Sequence, residues 1–487
     1  MNRRDMVKLA LGATVAAQSG RLMAAASPSA GQTVVRRSGR FNGRAVGYEV
    51  AAETTLVRPV TGKSATAIFS ISYFAGAGAR RPVVFAFNGG PGSSAAAVHL
   101  SGIAPKRIRF AGPIVNGDLL ATFELVDSEW SILDRADLVL IDPPGTGFST
   151  PSGQNDYWSA SADSHAICDF IRQWLGTHRR WGAPVYILGE SYGTYRAALV
   201  VRDLMGGLST GEMTGIPVAG AILIGSIVNR TQTVPAASND VAFQLYVPTM
   251  AMIAQAHGCA STGMTAAQLK EEMDRFVTQR YGPALFLGNR LPAGERAALI
   301  TYLAKKTGLP PEIIDRANLR PTPQLFAKTL LEKRGLVVGS YDGRVTSAAP
   351  YQADPIGGNP AMTQINSAYA IGFNRYLEEL GIGGQGPYRY INFVANKDWK
   401  WDEDSDGYSD VSPLLANAMI TNRAMHILSQ SGLYDLATPY TAAEHSFTQP
   451  MFPADRTTIR TYAAGHMCYV GDEPARAFCA DIAALLG

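Results

Sequence analysis

An excess of charge of either sign is missing from this chain, with 43 Lys and Arg against 40 Asp and Glu. The formal net charge is +3, and 17% of residues are charged. There is no Lys/Arg block and no interleaved basic and aromatic stripe, so nucleic acid and strongly acidic partners are not expected. Cysteine is also scarce, with only Cys168, Cys259, Cys468 and Cys479. No CxxC pair occurs, which disfavours zinc and dithiol chemistry, and no cofactor or metal is expected. In an oxidising compartment the four could pair in three ways, Cys468 and Cys479 being nearest in sequence. Cys168 lies in a helical pattern and reads as buried. No apolar run reaches the roughly 18–20 residues that cross a bilayer, so no stable membrane insertion is expected after processing.

What is present is globular composition: 46% hydrophobic residues in a chain of 487. That is more than one compact domain usually needs, or one core with a large insertion. The N-terminus reads differently. Asn2-Arg3-Arg4-Asp5-Met6-Val7-Lys8 is a twin-arginine head, followed by a modest apolar run, Leu9 to Ala17, and then Ala24-Ala25-Ala26. Residues 1–26 are therefore expected to be an export signal of the twin-arginine type, with a periplasmic or secreted destination.

From Val34 to about Gly76 apolar and polar residues alternate, with turns at Asn42-Gly43 and near Thr61-Gly62, as in antiparallel hairpins. Short apolar runs then alternate with helical patterns. The runs are Pro82–Phe87, Leu138–Ile141, Val185–Leu188, Ala219–Ile224, His426–Ser429 and Ile459–Tyr462, with helices expected at Ser161–Leu175 and Thr194–Leu204. Buried strands alternating with helices imply an α/β fold, a mostly parallel sheet covered on both faces. The alternation breaks between about Thr231 and Gln385, where the helical patterns are Met264–Tyr281, Ala293–Lys306, Pro311–Ala317 and Thr322–Arg334. The expected organisation is a first core part at 27–230, a helical lid insertion at 231–385 and a second core part at 386–487. Such lids exclude water and shape substrate pockets.

One apolar run ends in Gly189-Glu190-Ser191-Tyr192-Gly193 and leads into a helical pattern. This is the strand–turn–helix context of a nucleophile elbow, in which a strained serine points its hydroxyl out of the sheet's carboxyl edge. A serine needs a base, usually a histidine held by a carboxylate. Three late histidines compete. His426 opens an apolar run, and His445 lies in a helical pattern beside Glu444. His466 follows the run Ile459–Tyr462 and is entered through Gly465, so it is the expected base. Asp435, directly after the run His426–Ser429, is the expected orienting acid. The order Ser191, Asp435, His466 is that of α/β-hydrolases. Asn88-Gly89-Gly90-Pro91-Gly92 follows another run and supplies a backbone able to approach an oxyanion. Its expected donors are the amides of Gly90 and Tyr192.

Together these motifs, with Asp142-Pro143-Pro144-Gly145-Thr146-Gly147-Phe148-Ser149 and Gly465-His466-Met467, resemble the serine carboxypeptidases of the α/β-hydrolase superfamily. Asn396-Lys397-Asp398-Trp399-Lys400-Trp401 looks like the bacterial branch. The resemblance implies hydrolysis of C-terminal residues from peptides with a free C-terminus. It also implies that Asn88, with Gly89 in its loop, and Glu190 hold the terminal carboxylate, and that Met467 lines the pocket. It further implies a second Glu, but Gly102 stands at that position, Ala86 replaces the usual Trp, and Gly193-Thr194 replaces Ala-Gly. Arg107 or Arg109 is then the expected cation for the carboxylate. An esterase or acyltransferase on the same fold is the alternative activity; a catalytically silent binding protein is the third reading. Asp402-Glu403-Asp404-Ser405-Asp406-Gly407 resembles the start of a calcium loop, but Pro413 stands where an EF-hand needs Glu, so a solvated acidic turn is expected. The sequence sets no oligomeric state.

Overall fold

The computed structural model describes residues 33–58, 64–76, 78, 80–112, 123–151, 156–206, 215–260, 263–348, 359–383, 386–401 and 409–487. The expected export signal, the turn near Thr61-Gly62 and the acidic run from Asp402 to Gly407 lie outside these residues. The strands are β1 (Thr33–Phe41), β2 (Arg44–Val57), β3 (Thr66–Phe74), β4 (Val83–Phe87), β5 (Lys106–Phe110), β6 (Phe123–Asp127) and β7 (Asp137–Ile141). They continue with β8 (Thr150–Pro151), β9 (Val185–Glu190), β10 (Val218–Ile224), β11 (Leu336–Val338), β12 (Thr346–Ala348), β13 (His426–Gly432) and β14 (Thr457–Tyr462).

One sheet runs β1-β2-β3-β7-β4-β9-β10-β13-β14, with β8 paired to β3. β1, β2, β3 and β7 pair antiparallel, and from β7 onward every neighbour is parallel. The core strands are apolar on both sides, and the structure shows why. Val84 and Ala86 of β4 enter one hydrophobic cluster, while Val83, Phe85 and Phe87 enter another. β9 and β10 divide in the same way: Leu188, Ile222 and Ile224 face the first, Ile187, Ala221 and Leu223 the second. Helices Ala160–Thr177 and Tyr192–Met205 cover one face, and Asp472–Leu486 covers the other. This is the doubly covered parallel sheet expected of an α/β fold.

The runs read from the sequence are all strands, with ends shifted by a few residues. Met264–Tyr281 is a helix, Ala266–Phe276, closed by a π-turn at Val277–Tyr281. It starts from a capping box at Thr265 and Gln268. The helices between Asp240 and Thr329 share a third hydrophobic cluster, which includes Val247, Met273, Phe276, Leu303 and Phe326. Helix Pro360–Glu379 packs elsewhere: Ile365, Tyr369 and Phe373 join the sheet cluster that holds Val84 and Ala86. None of the described helices is long and apolar enough to cross a membrane.

Chain order and strand direction position the site. Because β4, β9, β10, β13 and β14 run parallel as neighbours, their carboxyl ends share one edge. The segments that leave that edge carry Asn88, Ser191, Gly225, Asp435 and His466. In open α/β sheets ligands bind outside the carboxyl ends of the strands.

At the opposite edge, Asp137 is fully buried at the start of β7. Its carboxylate takes Arg180 Nη2 at 2.8 Å and Arg81 Nε at 3.0 Å, and the Ala75 amide at 3.0 Å. Removing one partner of a buried pair leaves the other charge uncompensated. Asp137→Ala is therefore expected to lower stability by about 3–5 kcal/mol, read as a fall in urea midpoint at constant slope.

Candidate active site

Ser191 sits between β9 and helix Tyr192–Met205 at φ 58° and ψ −125°, a strained backbone for a residue with a side chain. The turn is possible because nothing projects from its flanks. A Cβ on Gly189 would lie 2.1 Å from the Gly193 carbonyl oxygen, and one on Gly89 would lie 2.5 Å from the Tyr192 nitrogen. The second contact means that the Asn88-Gly89-Gly90 backbone lies directly against the elbow. That approach brings together the two stretches carrying the Gly90 and Tyr192 amides.

The elbow is braced from behind. Tyr192 Oη donates to Asp163 Oδ2 at 3.0 Å, and Arg196 Nε donates to the same oxygen at 2.6 Å. Arg196 Nη1 also donates to the Asn88 carbonyl at 2.6 Å. Arg196 and Asp163 are each about 1% exposed, so this pair stays unscreened and ties the nucleophile helix to the glycine loop. Tyr388 Oη and the Ala95 amide both donate to Asp142 Oδ1, at 2.7 and 2.9 Å, which fixes the far end of the same loop. Burial raises the Asp142 carboxyl to about 6.

His466 and Asp435 meet. His466 Nδ1 is 2.7 Å from Asp435 Oδ2, and both side chains are buried. Asp435 Oδ1 accepts the amides of Ala437 at 2.7 Å and Thr438 at 2.9 Å. Thr438 Oγ1 donates to Asp435 Oδ2 at 2.5 Å and stands 3.0 Å from His466 Nδ1. Tyr341 stacks on the imidazole, centroids 4.7 Å apart, and its carbonyl accepts the His466 amide at 2.5 Å. An Nδ1–H directed at Asp435 leaves Nε2 as the acceptor. Burial works against the imidazole's proton, but Asp435 and Glu190 raise its pKa above the ordinary histidine value.

Ser191 and His466 line one cavity of about 180 Å³, together with Asn88, Gly89, Gly90, Glu190 and Met467. Among the described residues no hydrogen bond joins Ser191 to His466. Their proximity is fixed by β10: the Ser191 amide donates to Ile224 at 2.8 Å, and a Cβ on the next residue, Gly225, would lie 3.0 Å from His466 Cε1. The other sequence histidines stay apart. His426 is exposed at the start of β13, and His445 contacts Gln232 Nε2 through Nδ1 at 2.9 Å.

Glu190, 4% exposed, lies beside the nucleophile. Its Oε2 accepts Asn88 Nδ2 at 2.9 Å and Tyr469 Oη at 2.6 Å. Asn88 Oδ1 accepts the Val98 amide at 3.0 Å, which fixes the orientation of the Asn88 carboxamide. Burial raises the Glu190 carboxyl to about 7, against the opposing pull of His466 and of the bonds from Tyr469 and Asn88. The charge of Asp435 adds a smaller upward push.

One expectation needs correction. Arg107 and Arg109 do not line the cavity. Both lie on β5, where Arg107 pairs with Asp472 at 2.7 Å and stacks on Trp130, and Arg109 pairs with Glu124. Strand alternation and cross-strand partners, not proximity in sequence to the glycine loop, decided their direction. Gly102 is not among the residues that line the cavity; a Cβ there would meet Cys479 Sγ at 3.1 Å. All four cysteines are free, and Cys168, Cys468 and Cys479 are buried. Sequence reasoning missed Tyr469, Thr438, Tyr341, Asn366 and Tyr390. Tyr469 stands three residues past His466, but in the apolar stretch Met467–Val470 it has no local mark of a polar task.

A strained serine, a buried imidazole–carboxylate pair and a glycine-lined backbone at the carboxyl edge of a parallel sheet define a serine hydrolase of the α/β-hydrolase fold. Residues 68–282 match the family model described as serine carboxypeptidase, which bears out the resemblance carried by the motifs. The match indicates a hydrolase. The prohormone-processing carboxypeptidase Kex1 of Saccharomyces cerevisiae shares the fold. Its TM-score is 0.55 at 14% identity, over 89% of this chain and 90% of that one. More remote are proline iminopeptidase of Mycobacterium smegmatis and a haloalkane dehalogenase loop variant of Bradyrhizobium elkanii. The first has a TM-score of 0.34 at 13% identity, over 89% of this chain and 97% of its own. The second has 0.35 at 13%, over 90% and 97%. No curated protein sequence matches this chain.

Asp435→Asn keeps the shape of the buried pair but lets the imidazole take the wrong tautomer. It is expected to lower kcat by about 10⁴-fold with KM little changed, measured on an activated ester beside a circular-dichroism check of folding.

Proposed function

We propose that the protein removes C-terminal residues from peptides through an acyl-enzyme on Ser191. The observation that carries this reading is the 2.7 Å contact of Asp435 with His466, whose ring lines the cavity that also holds Ser191. Ser191 Oγ attacks the scissile carbonyl while His466 Nε2 takes its proton. Asp435 holds the tautomer and stabilises the imidazolium. The amides of Gly90 and Tyr192 stabilise the oxyanion, each worth roughly 3–4 kcal/mol in the transition state. The C–N bond then breaks as His466 returns the proton to the leaving amine. Water, activated by the same imidazole, attacks the ester and frees Ser191.

The chemistry of the cavity supports an exopeptidase over an esterase. Among the described lining residues there is no Lys or Arg, so the terminal carboxylate is met by hydrogen-bond donors. Asn88 and protonated Glu190 are the donors beside Ser191. Met362, Phe393 and Met467 give the rest of the lining apolar character, suited to an uncharged side chain. The volume is below the roughly 300–1,000 Å³ of clefts for drug-sized ligands, and suits one chain end. The helical segment between β10 and β13 acts as a lid, and residues 1–26 direct export by the twin-arginine route.

Glu190 gives the reading a pH signature. A carboxyl titrating near 7 is protonated and donating below that pH, and repels a carboxylate above it. KM for a blocked dipeptide with a free C-terminus is therefore expected to rise as pH increases through about 7. KM for its C-terminal amide is expected to lack this rise. Equal pH dependence for both would favour the esterase reading. A fluorophosphonate is expected to label the native protein and not Ser191→Ala; labelling that survives the substitution would remove Ser191 as nucleophile.

A further inference from the structure

The hydrogen bonds around Glu190 are lopsided. Asn88 Nδ2 and Tyr469 Oη both end on Oε2. With two donors on one oxygen, a proton on the carboxyl is confined to Oε1, since on Oε2 it would oppose two donor hydrogens. We infer that Tyr469 is a positioning residue: it holds the Glu190 proton on Oε1, available to the substrate, and sets the pH above which the site stops accepting a free terminal carboxylate. This rests on the reading of Glu190 as the carboxylate's donor.

Tyr469 is itself held in place. It is 2% exposed, packed edge-on to Tyr369 and tilted against Phe478 of the last helix. Its hydroxyl has little freedom to leave Glu190. The bond has a definite sign. A phenol donating to a carboxyl oxygen favours the ionised form, so it works against the burial that raises Glu190. Tyr469 therefore lowers the titration point as well as orienting the proton.

The charged or titratable groups facing Glu190 are His466, Asp435, Tyr341, Tyr369, Tyr390 and Cys468. Burial pushes the three phenols and the thiol upward, so they stay neutral through the range that matters. His466 also titrates, but its protonation affects acid and amide substrates alike. The ratio of their KM values isolates Glu190.

The test measures that ratio for a blocked dipeptide acid and its amide from pH 5 to 9 in the full-length native protein, Tyr469→Phe and Glu190→Gln. In the native protein the ratio is expected to rise with a midpoint near 7. Tyr469→Phe removes a donor to the carboxylate, so the midpoint is expected to move upward by roughly one pH unit. Glu190→Gln is expected to abolish the pH dependence of the ratio. A Tyr469→Phe midpoint equal to the native one, with Glu190→Gln flat, overturns the role of Tyr469 alone. A native ratio without a midpoint, or a midpoint that survives in Glu190→Gln, overturns the role of Glu190 and this inference with it. If Tyr469→Phe does not fold, replacement of Tyr469 by a ring-fluorinated tyrosine keeps the shape and strengthens the donor. Its midpoint is expected to move downward, and an unmoved midpoint overturns the inference.

Discussion

Everything at this site depends on a backbone-to-backbone approach. The glycine loop after β4 lies against the elbow after β9 so closely that a methyl group at Gly89 would overlap three backbone atoms of that turn. With that contact in place, the serine, the amides beside it and the Asn88–Glu190 pair share one small volume. The strain at Ser191 is tolerated because both sides of the turn are fixed. On one side its amide is bonded to Ile224 of β10; on the other, Arg196 and Asp163 lock the helix to the loop.

Hydrogen bonding then separates the roles of the two buried carboxyls near His466. Asp435 is surrounded by donors: two backbone amides, the Thr438 hydroxyl and the imidazole. Glu190 has two donors, both on one oxygen, in an equally buried setting, and it titrates near 7. One acid serves the base, and the other is poised to donate. The same chemical group is assigned different work by the number and placement of its hydrogen bonds.

Much of this was legible from the chain. Alternation of apolar runs with helical patterns predicted the parallel sheet, because a strand buried on both faces must be apolar throughout. The elbow and the glycine loop were legible because steric limits at close approach leave glycine as the only residue that fits. Helix Asp240–Ala256 was not read as a helix. It is buried on nearly every face and carries Pro248 inside, so it shows neither an amphipathic period nor an uninterrupted helical composition. Helix Pro360–Glu379 escaped for a related reason: its mixed small, polar and aromatic faces meet several different surfaces.

The sequence alone determined the order of the core strands, the strained serine turn and the chain order of nucleophile, acid and base. These follow from local sterics and from periodicity, which act over a few residues. Only the tertiary structure decided that Arg107 and Arg109 turn to other partners, that Gly102 is not part of the cavity lining, and that Tyr469 reaches Glu190. Those outcomes depend on which side chains meet across elements far apart in the chain. Burial and hydrogen-bond direction in turn depend on those meetings, and no local pattern encodes them.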